Sequence, residues 1–282
     1  MNWYAKYLSV FEKPFDATPQ TTILEIRDKL KQIQSPDPVA SVVVIAHNEE
    51  QRLLSCIWSL SENITSYPLE IIGVDNNSSD RTSDVFKAVE IPWYFEEQKS
   101  CGYARNCGRM HALGKYYICI DSDTIYPPLY LQTLIDELEK PGVVGVSSLW
   151  SYLPDKQFPE WKLKIYETLR DINLQLQAIK RPEMSVRGMV FAYNLEFGRK
   201  VGYRTDIIRG EDGHMALGLK KYGKIIFIRN REARAVTCNS NLKAEGSLFN
   251  ALIKRIFKAF RNIGGYFVKK DFYKDRDSNL IK

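Results

Sequence analysis

Cysteine is scarce and irregularly placed. The chain of 282 residues carries five cysteines, an odd number, and no two of them stand in C-x-x-C spacing. Neither a disulfide framework nor a zinc site of that kind is expected. No apolar run approaches the roughly 20 residues that a membrane-spanning helix needs. The N-terminal MNWYAKYLSVFEK lacks a basic start followed by an apolar block, so it does not read as a secretory signal. A reducing, cytoplasmic compartment is therefore the expectation. Two phosphate-binding signatures are also missing. The loop AHNEEQRLL after the first apolar run contains no glycine, which disfavours a G-x-G-x-x-G dinucleotide site, and G-x-x-x-x-G-K-[ST] is absent. There is no internal repeat and no low-complexity segment.

Composition is otherwise that of a globular protein, with 44% hydrophobic and 26% charged residues. The length allows one large domain or two small ones. The net charge of +6 is unevenly spread: residues 243–282 hold ten Lys/Arg against four Asp/Glu and account for all of it. A basic tail on a neutral body suits an anionic surface, and binding of nucleic acid by the whole domain is not expected.

Residues 1–38 read as an N-terminal extension. Within it TTILEIRDKLKQIQ (21–34) places Ile23, Ile26, Leu30 and Ile33 at helical spacing, and SPDP (35–38) stops it. Residues 39–240 then alternate strand and helix. The strands are SVVVIA (41–46), LEIIGVD (69–75), IPWYF (91–95) and KYYICID (115–121), and the helices begin near Glu49, Ser78 and Cys101. Apolar runs without alternation have both faces covered, as in a mostly parallel sheet flanked by helices. Further on, GVVGVSSLW (142–150) reads as one strand and residues 161–179 as a long helix. GMVFAY (188–193) is a short apolar stretch, 211–223 a helix and KIIFI (224–228) a strand.

Three strands end in polar residues: His47-Asn48-Glu49, Asp75-Asn76-Asn77 and Asp121-Ser122-Asp123. In an open parallel sheet ligands bind at the carboxyl ends of the strands. Each group alone is explained as a cap or a turn, but three on one rim point to a site. Asp75 can accept from a ribose hydroxyl or a base N–H. Asp121 and Asp123 are hard oxygen ligands two residues apart, suited to Mg²⁺ or Mn²⁺ bridging a diphosphate.

The segments VVVIAHNEE, IIGVDNNSSDRT, GYARNCGRMHALGKYYICIDSDT and GEDGHMALGLKKYGKI stand in this order between Val42 and Phe227. In that order and spacing the chain resembles the inverting glycosyltransferases of family 2, with the GT-A fold. The resemblance implies a nucleotide-diphosphate sugar donor, a divalent cation, and a saccharide or lipid-linked saccharide acceptor. Ala46, Glu49 and Asp75 would hold the nucleoside, and Arg105 the base or diphosphate. Asp121 and Ser122 would lie against the donor, with Asp121 touching ribose or metal and Asp123 binding the metal. Asp212 would be the general base and Glu211 its acidic neighbour; the plainer reading of the pair is a first-turn complement to a helix dipole. His214 is read as a polar helix residue in preference to a third metal ligand, and His111 as packing or surface. The chain departs from the family at His47, at His214, and at TCNSN (237–241), where an arginine pair often stands. It also lacks Q-x-x-R-W, which argues against a polymerising synthase. Competing readings are a sugar nucleotidyltransferase and a silent binding module.

Residues 241–282 form a basic segment with its own pattern. Leu248, Phe249, Leu252, Ile253, Ile256, Phe257, Phe260 and Ile263 would share one helical face, with Lys254, Arg255, Lys258 and Arg261 on the other. Such a C-terminal amphipathic helix either lies on anionic lipid or packs its apolar side on the domain.

Overall fold

The computed structural model describes residues 2–240, 242, 272–273 and 277–281. The C-terminal amphipathic helix expected at 246–265 lies outside these residues. Three strands expected from apolar runs form the centre of a seven-stranded sheet: β1 (Ala40–Ala46), β2 (Leu69–Asp75) and β4 (Tyr116–Asp121). Every residue of β1 and β2 is buried, because helices cover both faces. Val42, Val44 and Ala46 point into one core with Leu53 and Ile57 of α2 (Glu50–Ser61) and Leu131 and Leu134 of α5 (Tyr130–Leu138). Val43 and Ile45 point into the other, with Ala104 of α4 (Cys101–His111) and Met215 and Leu219 of α8 (Glu211–Leu219).

The strand order is β3-β2-β1-β4-β8-β6-β9, with β3 at Trp93–Phe95, β6 at Val143–Ser147, β8 at Phe191–Asn194 and β9 at Lys224–Phe227. The chain steps outward from β1 through β2 to β3, by way of α2 and α3 (Thr82–Ala88). It then recrosses through α4 to place β4 on the far side of β1. That reversal opens a crevice between the carboxyl ends of β1 and β4, where open α/β sheets take their ligands. The sheet is parallel from β3 to β4, and β8 runs antiparallel to both its neighbours.

Ile23, Ile26 and Leu30 of α1 (Gln20–Ile33) enter the core beside α2, as do Tyr7, Val10 and Phe15 upstream. The Gln34 side chain also bonds the Ile71 backbone twice, donating to its carbonyl and accepting from its N–H, both at 2.8 Å. The N-terminal segment is thus stitched to the sheet.

The structure differs from expectation beyond β4. GVVGVSSLW is two strands, not one: β6 ends at Ser147 and β7 (Trp150–Tyr152) belongs to a second sheet, β5-β10-β7. There β5 is Thr124–Ile125 and β10 is Ala235–Thr237. GMVFAY opens with a 3-10 turn at Gly188–Val190 before β8. The long helix is α6 (Glu160–Ala178), while α5 and α7 (Leu195–Val201) were not anticipated. Among the described residues no helix is long and apolar enough to cross a membrane.

Candidate active site

Strand register brings the polar strand ends together: Ala46 pairs with Asp75, and Ile45 with Asp121. The loops that follow are tied to one another. Asn48, at φ 55°, accepts from the Ser79 N–H at 2.8 Å, and the Glu49 N–H donates to Thr82 Oγ1 at 2.8 Å. His47 Nδ1 lies 2.7 Å from the Asn76 carbonyl. The buried Asp75 accepts from the Ser78 N–H at 3.1 Å, so it serves its turn as well as facing the rim.

Arg105 is the residue on which both sides of the crevice converge. It rises from α4, is 2% exposed, and puts Nη2 at 2.7 Å from Asp121 Oδ1 and Nε at 3.0 Å from Asp212 Oδ1. Expected at the base or diphosphate, its guanidinium is held between these two carboxylates. Asp212 reaches it from the first turn of α8, whose N-cap Gly210 adopts φ 99°. The 3-10 turn at Gly188 completes the enclosure. A Cβ there would stand 1.9 Å from Arg105 Nη2 and 2.6 Å from Asp212 Oδ2, so any larger residue would force these side chains to shift. Tyr126 fixes the height of this turn: its hydroxyl accepts from the Asp121 N–H at 3.2 Å and donates to the Met189 carbonyl at 3.0 Å.

The electrostatics follow from this crowding. Burial pushes the Asp121 carboxyl up to about 6, with Arg105 opposing and Asp123 and Asp212 adding to the rise; a third of its side chain still reaches solvent. Burial raises Asp212 likewise, against the pull of Arg105 and with Glu211 reinforcing it. Glu49 is pushed up to about 7 by burial and then by Asp123, while Arg52 holds it down. Acidic groups at the rim therefore crowd one another, a state that an added cation relieves.

Asp123 is held by residues that the sequence did not single out. Its Oδ1 accepts from Thr124 Oγ1 at 3.0 Å and Thr237 Oγ1 at 3.4 Å, and Cys238 Sγ lies 2.9 Å from Oδ2. TCNSN was notable only for lacking arginines; here its first two side chains orient the acid. Tyr126 gave no signal either, since its hydroxyl links the Asp121 N–H to the Met189 carbonyl, 63 positions away in sequence. Among the described residues there is no group of three or more His, Cys, Asp or Glu that could hold a metal. The donor set fits a cation bound through one or two carboxylates and completed by diphosphate and water, the usual manner of Mg²⁺ and Mn²⁺ at phosphates. His214 Nε2 lies 3.5 Å from Arg204 Nη1, on α8. His111 stacks on Tyr94 with centroids 3.6 Å apart. Glu211 is buried beside Asp212. Ser122 is buried at the strand end.

A family model described as Glycosyl transferase family 2 matches residues 41–225. The chain is 24% identical over 199 residues to a dolichyl N-acetyl-alpha-D-glucosaminyl phosphate 3-beta-D-2,3-diacetamido-2,3-dideoxy-beta-D-glucuronosyltransferase of Methanococcus voltae, covering 65% of this chain and 62% of that protein. It is 25% identical over 143 residues to an uncharacterised glycosyltransferase of Rickettsia prowazekii, covering 45% of each. The chain thus spans about half to three-fifths of the length of these curated relatives. Among solved structures it is similar to a mannosyltransferase of Pyrobaculum calidifontis in complex with GDP-Man and Mn²⁺, with TM-score 0.55, 20% identity, and coverage of 83% of this chain and 68% of that one. The glucosyl-3-phosphoglycerate synthase of Mycobacterium tuberculosis, in complex with Mn²⁺, UDP-glucose and phosphoglyceric acid, gives TM-score 0.53, 20% identity, and coverage of 84% and 82%. At these identities the likeness is one of fold, which is GT-A.

Proposed function

The chain belongs to glycosyl transferase family 2, and from that premise we propose that it transfers a sugar from a nucleotide-diphosphate sugar, UDP-linked in the first instance, to a hydroxyl acceptor with inversion. The observation that carries this reading is the buried Arg105, which joins Asp121 on the donor side to Asp212 on the acceptor side. Inverting transfer needs a base on one face of the sugar carbon and charge neutralisation on the other. Asp212, raised by burial, is suited to take the acceptor's proton. Ala46, Glu49 and Asp75 line the strand ends where the nucleoside would lie, and Ser122 stands between the two donor-side acids. Asp123, with Asp121, would hold Mn²⁺ or Mg²⁺, whose charge offsets that of the departing diphosphate. Arg105 then acts by positioning both acids. Glu211 sets the field around Asp212.

The acceptor we propose is a saccharide or lipid-linked saccharide, in synthesis of a cell-surface polysaccharide or glycolipid. The name of the Methanococcus voltae relative, which acts on a dolichyl-linked sugar phosphate, supports that choice. The site would work from the cytoplasmic side, with the basic charge of residues 243–282 favouring an anionic membrane surface. A thermal-shift screen of UDP, GDP, dTDP and CDP with Mn²⁺ tests the donor, since a bound ligand raises apparent stability by mass action. One nucleotide should shift the melting temperature, and slow hydrolysis of its sugar should stop in EDTA. Release of pyrophosphate, or no shift with any nucleotide, would overturn the proposal.

A further inference from the structure

Helix α6 is amphipathic the wrong way round for a surface helix. Its inward face carries Glu167, Arg170 and Asp171 among Leu163, Tyr166 and Leu174. Its outward face presents Trp161, Ile165, Leu169 and Ile172, and Ile179 just beyond its end continues the line. These five are between 39% and 61% exposed, and spacings of three, four and seven keep them on one side. The stripe runs into an open groove of about 590 Å³ lined by Ile172, Leu176, Ile179, Ile226 and Phe227. A contiguous apolar strip of this kind marks a surface that something covers.

The chain itself indicates what. Leu242 packs with Phe158, Leu163 and Tyr166, at the start of α6. The next described residues, Phe272 and Tyr273, resume at its other end. The Tyr273 hydroxyl accepts from Arg181 Nε at 2.8 Å and donates to Glu183 Oε1 at 2.7 Å. Leu242 and Tyr273, the described residues that bracket this stretch of sequence, thus stand at opposite ends of α6. At about 1.5 Å per residue, the 19 residues of α6 span about 28 Å, and the helix that the sequence pattern predicts over 246–265 would span about 30 Å. The lengths match, and the sequence of that stretch carries an apolar set running from Leu248 to Ile263.

We propose that the outward face of α6 is the docking face for residues 246–263 of the same chain, which lay Leu248, Leu252, Ile256 and Phe260 along the stripe and leave Lys254, Arg255, Lys258 and Arg261 outward. This goes beyond the transferase reading and does not depend on it. The competing occupants are an anionic bilayer and a second copy of the chain.

The test uses the full chain with a photo-crosslinker at the stripe, Ile165→p-benzoylphenylalanine, irradiated at dilutions that keep the protein monomeric. The expected product is an intramolecular adduct mapping to residues 246–263, with or without phosphatidylglycerol vesicles. A second measurement needs no crosslinker: the acrylamide quenching of Trp161, isolated by subtracting the Trp161→Phe protein. It should be weak in the monomer and rise severalfold in Ile256→Asp. Adducts only between copies, adducts only with lipid, or a Trp161 freely quenched in the monomer would each overturn the proposal.

Discussion

A methyl group at Gly188 would stand 1.9 Å from Arg105 Nη2 and 2.6 Å from Asp212 Oδ2, so Gly188→Ala is expected to move Asp212, the proposed base, without removing it. Misplacement by about 1 Å can cost on the order of 10²-fold in rate. Gly188→Ala should therefore lower kcat by about that factor while calorimetry shows nucleotide binding retained; equal loss of both would mean that the turn serves the donor instead. Asp212→Asn keeps the shape but cannot take a proton, and loss of a general base costs about 10²–10⁴-fold. Transfer surviving above roughly a tenth of wild type would exclude Asp212 as the base, with Glu211 next in line. Because burial raises Asp212, its active, ionised form is lost as pH falls. The acid limb of kcat against pH should have its midpoint above the ordinary aspartate value of about 3.9. Asp123→Ala should abolish metal-dependent nucleotide binding and leave the fold intact, as Thr124 and Thr237 stay paired across β5 and β10 and Cys238 keeps its contact with Ser240. An unchanged Mn²⁺-sensitive affinity by calorimetric titration would refute the assignment.

Besides the Gln34–Ile71 pair, the N-terminal segment is held at a polar cluster around Glu62. Glu62, at the end of α2, accepts from Tyr7 Oη at 2.7 Å and Lys29 Nζ at 2.6 Å, and also pairs with Lys6. Burial alone would raise its carboxyl, but the bonds from Lys29, Lys6 and Tyr7 win and hold it at about 2. A folded-state value below the unfolded one means stability that is present above pH ~4.5 and lost as pH falls toward 2. Glu62→Gln should therefore cost about 1 kcal/mol at neutral pH, discounted for solvent screening. The gap from wild type in urea melts should close between those pH values, and a constant gap would refute the linkage. At α6, Arg234 bonds Asp171 Oδ2 at 2.8 Å and Glu167 Oε2 at 3.2 Å, locking the helix to β10. Removing one partner of such a cluster costs about 3 kcal/mol, so Arg234→Met should lower the urea midpoint accordingly. These elements also show what was legible. The runs SVVVIA and LEIIGVD could be read because burial on both faces demands unbroken hydrophobicity, and α1 because its 3.6-residue period is clean. GVVGVSSLW misled because its apolar run crosses Ser147-Ser148, where the chain changes sheets; composition does not record which sheet a strand joins. In α6 length was readable, but its reversed polarity was not.

Across the whole molecule, the rim acids Asp75, Asp121 and Asp123 were legible because strand ends in a parallel sheet point one way. What joins them was not. Arg105 meets Asp212 only through the fold, and Cys238 lies 115 positions from its partner Asp123. That last separation has a consequence for how the protein is made. The strands that define the rim are complete once Asp121 has been translated, whereas β10, which clasps Asp123, is among the last described elements to appear. At about 5–20 residues per second, some 6–23 s of synthesis divide the two events. Through that interval a nascent chain would have the central strands of the sheet but no finished clasp, so donor could neither stabilise it nor be consumed by it. A chain released after residue 230 should accordingly show no Mn²⁺-dependent nucleotide shift in its melting, and on the proposed reading competence for the donor would arrive only once β10 has been made.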